Sequence, residues 1–448
     1  MKLADLEHAR VAVWGYGREG RAALAVLRRR FPQKTLTLFC SEQEADAARV
    51  EGANVESVPP DAIALARFNV VIKSPGISPY KSPIPEAMAN GVRFTSGTAL
   101  WFAENPHARV IGVTGTKGKS TTSALTAHLA RALGVRTALA GNIGMPLLDL
   151  LGQQADLWVV ELSSFQTGDA GPLDVGVITN LYEEHLDWHG TRERYFADKL
   201  KLADAARRLV VNAQQPDLLA RTAAHAQRTT FGDRAGWHVR DGAIRHASRI
   251  VLPVAGIPLP GEHNALNVCA ALAAIEGVGL DAIAAAGHVA GFKPLPHRLQ
   301  ALGERDGVTF INDSISTTPL ATIEALRSLQ GRPVTVFVGG FDRGVDWNPF
   351  MEYVARHPPR GIVTMGANGP RIAASLALRG CALKQAASLA EAVDVARKLT
   401  PAGGTILLSP GAPSFDQFRD YAERGREFAR LAGFDPAAIA SIEGLGIA

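Results

Sequence analysis

Apolar positions in this chain gather into runs of four or five residues, each closed by a glycine or polar turn and followed by a longer alanine-rich stretch with helical spacing. Arg10 to Trp14, Thr35 to Phe39 and Asn69 to Ile72 form the first set. Arg109 to Val113, Thr137 to Ala140, Leu157 to Val160 and Val175 to Thr179 form the second. Val308 to Asn312, Val334 to Val338, Gly361 to Met365 and Thr405 to Leu408 form the third. A short continuous apolar run reads as a strand covered on both faces, the habit of parallel sheets, and the stretches between read as crossover helices. The pattern predicts an α/β protein of three βα-rich regions, which suits 448 residues at roughly 150 per domain. The expected limits are residues 1–105, 106–292 and 293–448, the last boundary falling at the proline-rich hinge Lys293-Pro294-Leu295-Pro296.

Composition changes this picture little. Apolar content of 47% and charged content of 20% let each region bury its own core. The net charge of +4 is dispersed, and no basic run exceeds Arg28 to Arg30, which reads as a solvated helix face rather than a nucleic-acid footprint. Cys40, Cys269 and Cys381 are odd in number and unpaired in spacing, arguing against disulfides and zinc and for a reducing cytoplasm. Asp5, Glu7 and His8 rule out a signal peptide at the start, and Glu276 and Asp281 break the one long apolar stretch, so no membrane span is expected.

Six strand ends carry chemistry. Gly15-Tyr16-Gly17-Arg18-Glu19-Gly20 fits G-x-G-x-x-G ahead of a helix read over Arg21 to Arg30, the mark of a Rossmann-like region. A dinucleotide site would need an acid closing the second strand, where Cys40-Ser41 stands, so a phosphate or nucleotide-sugar pyrophosphate fits better than NAD. Lys73-Ser74-Pro75-Gly76 ends a neighbouring strand at the edge where ligands of open sheets bind. In the second region, Gly115, Thr116, Lys117, Gly118, Lys119, Ser120 and Thr121 form a shortened P-loop. Its backbone N–H groups would cradle phosphates, with Lys119 on the β/γ-phosphates and Ser120 on magnesium. Glu161 closes a strand and suits magnesium, while His185 and Asp187 reach the same edge if their strand neighbours that of Glu161. Read alone, His185 is an ordinary loop histidine; the company of a P-loop changes that reading. Asn142, in Gly141-Asn142-Ile143-Gly144, offers an amide to a phosphate or acyl oxygen. Pro260 to Asn267 opens a helix with Asn264 as a candidate cap and Asn267 facing nucleotide.

In this order, G-T-K-G-K-S-T-T, G-N-I-G, E-L-S-S-F-Q, N-x-x-x-E-H-x-D, H-N-x-x-N and P-H-R at Pro296 to Arg298 resemble the Mur ligase family over essentially the whole chain. Ser163 to Gln166 and Leu407 to Phe418 are similar to its glutamate-adding members. The resemblance implies ATP-dependent amide formation in peptidoglycan synthesis, through phosphorylation of the alanine carboxylate of UDP-N-acetylmuramoyl-L-alanine and attack by the glutamate amine on the acyl phosphate. It implies a cytoplasmic, monomeric enzyme whose three domains close to exclude water. It also implies two magnesium sites built from Ser120, Glu161, His185 and Lys199, with Lys199 carbamylated, and Lys119, His185 and Lys199 as catalytic residues. Asn267, Arg298 and Asp313 would touch ATP. Gly17, Arg18, Glu19, Gly20, Ser74, Pro75, Gly76, Asn142, Ser163 and Gln166 would hold the uridine substrate. Thr317, Arg343, Ser414, Phe415 and Tyr421 would hold glutamate. Without the resemblance, Lys199 reads as helix-surface charge.

The resemblance breaks at the amino-acid pocket. Ile315 and Arg343 stand where D-glutamate enzymes of the family carry lysines, and Phe415 and Tyr421 replace a Leu and a Phe. Arg and Lys hold carboxylates in different geometries, and the change points to L-glutamate over D-glutamate. Cys40-Ser41 and Thr98 depart from the residues that hold uracil. Two other readings stand beside the ligase: folylpolyglutamate synthesis, which Gly15 to Gly20 opposes, and a P-loop switch that binds ATP without amino-acid-dependent turnover.

Overall fold

The computed structural model describes residues 1–50, 54–56, 59–259, 261–376, 381–439, 442 and 444–448. They form two compact units, one of Met1–Pro258, His263–Phe292 and Gly444–Ala448, the other of Leu259–Glu262 and Lys293–Glu443.

The first unit holds two sheets. In the first, β1 (Val11–Trp14), β2 (Thr37–Phe39), β3 (Asn54–Glu56), β4 (Val70–Lys73) and β5 (Arg93–Thr95) run parallel in the order β3-β2-β1-β4-β5. Chain order reverses at β1, the place where open α/β sheets bind ligands. Trp14 registers with Lys73, so the Gly15 and Ser74 turns leave the sheet side by side. Helix α1 (Arg18–Arg30) begins three residues before the position its apolar spacing predicts, because Gly17 is its N-cap and Gly20 lies in its first turn. Gly20 presses on the Gly15 carbonyl, where a Cβ would collide, and that close approach lets the helix begin at the turn itself.

The second sheet has ten strands among the described residues, of which β11 (Arg228–Phe231), β12 (Trp237–Arg240), β13 (Ala243–His246) and β14 (Arg249–Pro253) extend it beyond β10. Its core is β6 (Val110–Thr114), β7 (Thr137–Gly141), β8 (Leu157–Glu161), β9 (Leu173–Ile178) and β10 (Ala206–Asn212), parallel in the order β10-β9-β6-β8-β7. Helix α2 (Lys119–Ala132) follows β6, and α3 (Arg192–Ala205) precedes β10. Strands β8 and β9 are not neighbours, as the condition on His185 and Glu161 required; they flank β6, so their loops approach the phosphate loop from its two sides. Helix α4 (Glu262–Gly277) contains Asn264 at its third position, buried, so that residue is interior and not the predicted cap. Pro260, read as opening that run, lies outside the described residues. One core continues from Leu24, Leu27 and Trp101 to Trp158 and Leu162, which is why the first two predicted regions make a single unit. Trp101 is fully buried with its ring 4.6 Å from that of Trp158; at ~25 cal/mol per Å² over ~200 Å², its burial stabilises the pair of layers by about 5 kcal/mol.

In the second unit, β15 (Gln300–Arg305), β16 (Val308–Asn312), β17 (Val334–Val338), β18 (Gly361–Thr364), β19 (Ala382–Gln385) and β20 (Thr405–Leu408) lie in the order β15-β16-β20-β17-β18-β19. All are parallel except the edge strand β15. Helix α5 (Tyr421–Ala432) packs Phe428 against Phe310 and Phe337. The chain end departs from the expected limit of 293–448: β21 (Gly446–Ile447) pairs antiparallel with β7 of the first unit, and Arg131 donates to the Gly446 carbonyl at 3.0 Å.

Candidate active site

The turn between β6 and α2 is built for an anion. Gly118 caps α2 in the left-handed region at φ +82°, and a side chain there would run into Asn267 Oδ1; only glycine takes that position without strain. Thr116 and Lys117 are fixed from the loop after β9, through Thr116 N to Asn180 O at 3.1 Å and Lys117 N to Asn180 Oδ1 at 2.8 Å. Lys119 Nζ donates to Thr116 O at 3.0 Å, folding its charge over the loop. Ser120 and Thr121 are buried in the first turn of α2, beneath the positive end of its dipole. Asn267 joins this group, its Nδ2 donating to Asn264 Oδ1 at 3.1 Å and its Oδ1 accepting from Thr122 at 3.4 Å.

Glu161, at the end of β8, is 1% exposed. Asn142 Nδ2 donates to its Oε1 at 2.7 Å, and its buried Oε2 has no hydrogen-bond partner among the described residues. A bare buried carboxylate oxygen costs about 1–3 kcal/mol, and a hard cation is the group that would satisfy it. Among the described residues no three His, Cys, Asp or Glu side chains cluster as a metal site. A cation at Glu161 would have to take most of its oxygens from phosphate and water, with Ser120 and His185 as the candidate protein partners. His185 stands at φ +57°, a strained position for a non-glycine residue, with its ring half-exposed. Burial, together with Lys199 and Lys119, holds its pKa below the usual value against Glu184 and Asp187, favouring the neutral, ligating imidazole.

Lys199 is not the surface charge its sequence suggests. It is 2% exposed, and its Nζ donates to Gly115 O at 2.8 Å, beneath the phosphate loop. Burial first, then Lys119, drives its pKa well below the lysine value although Glu184 and Glu161 pull the other way. A lowered pKa makes an amine readier to give up its proton, the condition for reaction with CO2 to a carbamate. Glu184, given no role of its own within N-x-x-x-E-H-x-D, pairs with Lys117 Nζ at 2.7 Å. Burial would raise its pKa, but Lys117, His185 and Lys119 hold it below the usual carboxylate range.

A second unforeseen group ties α3 to the loop after Glu161. His189 Nδ1 is 2.7 Å from Asp198 Oδ2, and its Nε2 is 3.0 Å from Ser164 Oγ, all three buried. Asp198 Oδ1 accepts from Tyr80 Oη at 2.6 Å and from Lys201 Nζ at 2.7 Å. A cavity of about 210 Å³ lies beside these residues, lined in part by Lys73, Phe165, Asp169 and Trp188. The spacings of 25 and 9 residues follow no periodic pattern, so no sequence signal announced this group.

At the first sheet, the structure brings the two predicted phosphate turns together. Ser74 Oγ lies against Gly15 and Gly20, buried and without a partner among the described residues. Gly17 and Arg18 are exposed at the N-terminus of α1, and Pro75 O accepts from Trp188 Nε1 at 3.1 Å. Gly76 is exposed beside it. Glu19 has its pKa raised to about 7 by burial and by Asp149 and Asp169. Gln166 is held from both sides, accepting from Ser163 Oγ at 2.7 Å and donating to Thr98 Oγ1 at 3.2 Å.

The remaining candidates lie in the second unit. Asp313 accepts from Ser409 Oγ at 2.7 Å, Leu299 N at 3.1 Å and Ser316 Oγ; burial still raises its pKa to about 6 against those donors and Arg298. Thr317 is half-buried, Ser414 buried, Arg343 and Phe415 exposed, and Tyr421 opens α5. Arg343 lies over the Phe415 ring at 5.9 Å and Phe341 meets Phe415 edge-on at 6.3 Å, so this subset shares one place.

Comparison with known proteins agrees with this arrangement. Residues 113–275 match the Mur ligase middle domain and residues 297–411 the Mur ligase glutamate ligase domain. The chain is 50% identical to the UDP-N-acetylmuramoyl-L-alanine–L-glutamate ligase of Xanthomonas euvesicatoria pv. vesicatoria and 51% identical to the protein of that name from Xylella fastidiosa, in each case across 100% of both chains. The solved UDP-N-acetylmuramate-alanine ligase of Thermotoga maritima superposes with a TM-score of 0.62 at 20% identity, covering 95% of this chain and 99% of that one, a likeness of fold. With both domains matched in order and half of all residues shared over the full length, this chain belongs to the Mur ligase family.

Proposed function

We propose that this protein joins L-glutamate to the alanine carboxylate of UDP-N-acetylmuramoyl-L-alanine at the expense of ATP. The observation that carries the reading is the phosphate loop with the buried Lys199 beneath it, its pKa lowered by that burial, and the bare oxygen of Glu161 beside it. The names of the half-identical relatives support the substrates, and the replacement of family lysines by Ile315 and Arg343 supports the L form.

In this reading residues 1–105 bind the uridine substrate through Gly17, Arg18, Glu19, Gly20, Ser74, Pro75 and Gly76. Residues 106–292 bind ATP, and the region from 293 binds the amino acid. The alanine carboxylate attacks the γ-phosphorus, the bond to ADP breaks, and the phosphate becomes the leaving group when the glutamate amine, having lost a proton, attacks the acyl carbon. Lys119 and the α2 N-terminus stabilise charge on the transferring phosphoryl group. Asn142, Ser163 and Gln166 orient the acceptor; Asn267, Arg298 and Asp313 serve the nucleotide. Ser120, Glu161, His185 and carbamylated Lys199 would hold magnesium, which supplies charge neutralisation between phosphate oxygens when bound. The ATP-dependent reaction and the three free cysteines suit the cytoplasm. Among the described residues no helix is long and apolar enough to cross a membrane.

The test is phosphate release with ATP, magnesium and UDP-N-acetylmuramoyl-L-alanine, with L- or D-glutamate supplied separately. Turnover with L-glutamate alone is the expected result. Turnover with D-glutamate alone would assign the other hand, and release indifferent to amino acid would return the protein to the P-loop switches.

A further inference from the structure

The second unit buries a cation that the proposed reaction does not yet use. Arg424, one turn into α5, is 1% exposed. Its Nε donates to Ser314 Oγ at 3.0 Å, and its Nη2 donates to Ser314 O at 2.9 Å and Ala412 O at 3.0 Å. Its Nη1 is buried and has no hydrogen-bond partner among the described residues, and Ser414 Oγ is in the same condition. Gly340 packs so closely that a Cβ on it would stand 3.2 Å from Nη1. Among the described residues no Asp or Glu forms an ion pair with Arg424; Asp416 acts on it only through its field.

Burial lowers the Arg424 pKa to about 10, which leaves the guanidinium charged at neutral pH. A buried charge with neither counter-ion nor full hydrogen bonding is costly unless an anion completes it. Ser314, Gly340 and Ala412 place Arg424 at the meeting of three segments, and those segments carry the amino-acid candidates Thr317, Arg343, Ser414 and Phe415. Family lysines are missing at Ile315 and Arg343, so the two carboxylates of the amino acid must find other donors, among which a buried guanidinium is strong.

We propose that Arg424 is a binding residue for the incoming amino acid, its Nη1 and the Ser414 hydroxyl receiving one carboxylate while Arg343 receives the other. The assignment rests on the glutamate reading. Access to Nη1 requires the turn at Gly339 and Gly340 to give way, and these two glycines, at φ +108° and +157°, supply the backbone freedom for it. The exposed Phe341 and Phe415 next to this turn then close over the bound amino acid.

The test compares the full-length wild type with Arg424→Met and Arg424→Lys, using L-glutamate, D-glutamate, glutamine and γ-aminobutyrate as amino acids. Arg424→Met is expected to lower kcat/KM for glutamate by about 100-fold, mostly through KM, with KM for ATP within about 2-fold. The loss should shrink to less than about 5-fold for whichever probe lacks the carboxylate that Arg424 holds: glutamine for the side-chain group, γ-aminobutyrate for the α-group. Arg424→Lys should show the same selectivity with a smaller loss, and it carries the test if the Met variant does not fold. Equal losses on every probe would make Arg424 a structural strut and overturn the proposal, as would an unchanged glutamate KM. A wild type inactive with glutamate of either hand would overturn both this proposal and the function it rests on; an active wild type with unaffected variants would overturn this proposal alone.

Discussion

A lysine sealed from water is driven toward its neutral form unless an anion pairs with it, and burial holds the Lys199 pKa well below the usual lysine value. Lys199→Ala should therefore remove most ligase activity, and formate or acetate should restore part of it by standing in for a carbamate. Full activity in the unsupplemented variant would refute the role. Gly118→Ala tests the loop: its left-handed backbone and the Asn267 side chain leave no room for a methyl, so stability should fall by about 1–3 kcal/mol and KM for ATP should rise. Glu19 gives a pH signature. Its pKa is near 7 in the fold and 4.5 when unfolded, so its contribution is fully present below pH 4.5 and is lost as pH climbs through 7. Glu19→Gln should melt about 3 °C or more above wild type at pH 8 and converge with it by pH 5, as read by thermal scans. Gly118, Lys119 and Ser120 were legible because a phosphate loop is a local string. Lys199 was legible only through the family, since one lysine in a helix carries no pattern and its burial depends on strands distant in sequence. Arg424 was missed for the same reason; Glu184 stood inside N-x-x-x-E-H-x-D, but its pairing with Lys117 joins loops distant in sequence and so gave it no role there.

Among elements, the strands were the most legible: Val308–Asn312, Val334–Val338 and Thr405–Leu408 fall where their apolar runs place them, because burial on both faces writes itself as a continuous run. The start of α1 was less so, since a glycine-rich turn does not reveal which of its residues already lies in the helix. Helix α3 is held by something spacing could not express, the group of Ser164, His189, Asp198 and Tyr80. Asp198→Ala should destabilise the protein by about 3 kcal/mol, as it strips partners from buried His189 and from Lys201 and Tyr80 together. Tyr80→Phe removes one bond and should cost about 1 kcal/mol. If the two variants melt alike, Asp198 is not the hub its geometry indicates.

At the scale of the molecule, the α/β class followed from the alternation of runs, and the proline-rich stretch lies where the second unit resumes at Lys293. The union of the first two regions did not, because a shared core is a matter of which apolar faces meet, as at Trp101 and Trp158. Nor did the return of the chain end, since two residues are too few to show a period. The strand β21 gives the protein a dependence on its own direction of synthesis. The chain is made from its amino end and β21 comes only after the whole second unit, so the outer edge of β7, with the Ala138 and Leu139 backbone, stays unpaired until residues 446 and 447 have been made. Nascent chains, and chains cut short before Gly446, thus expose a template for β-pairing that the folded protein hides.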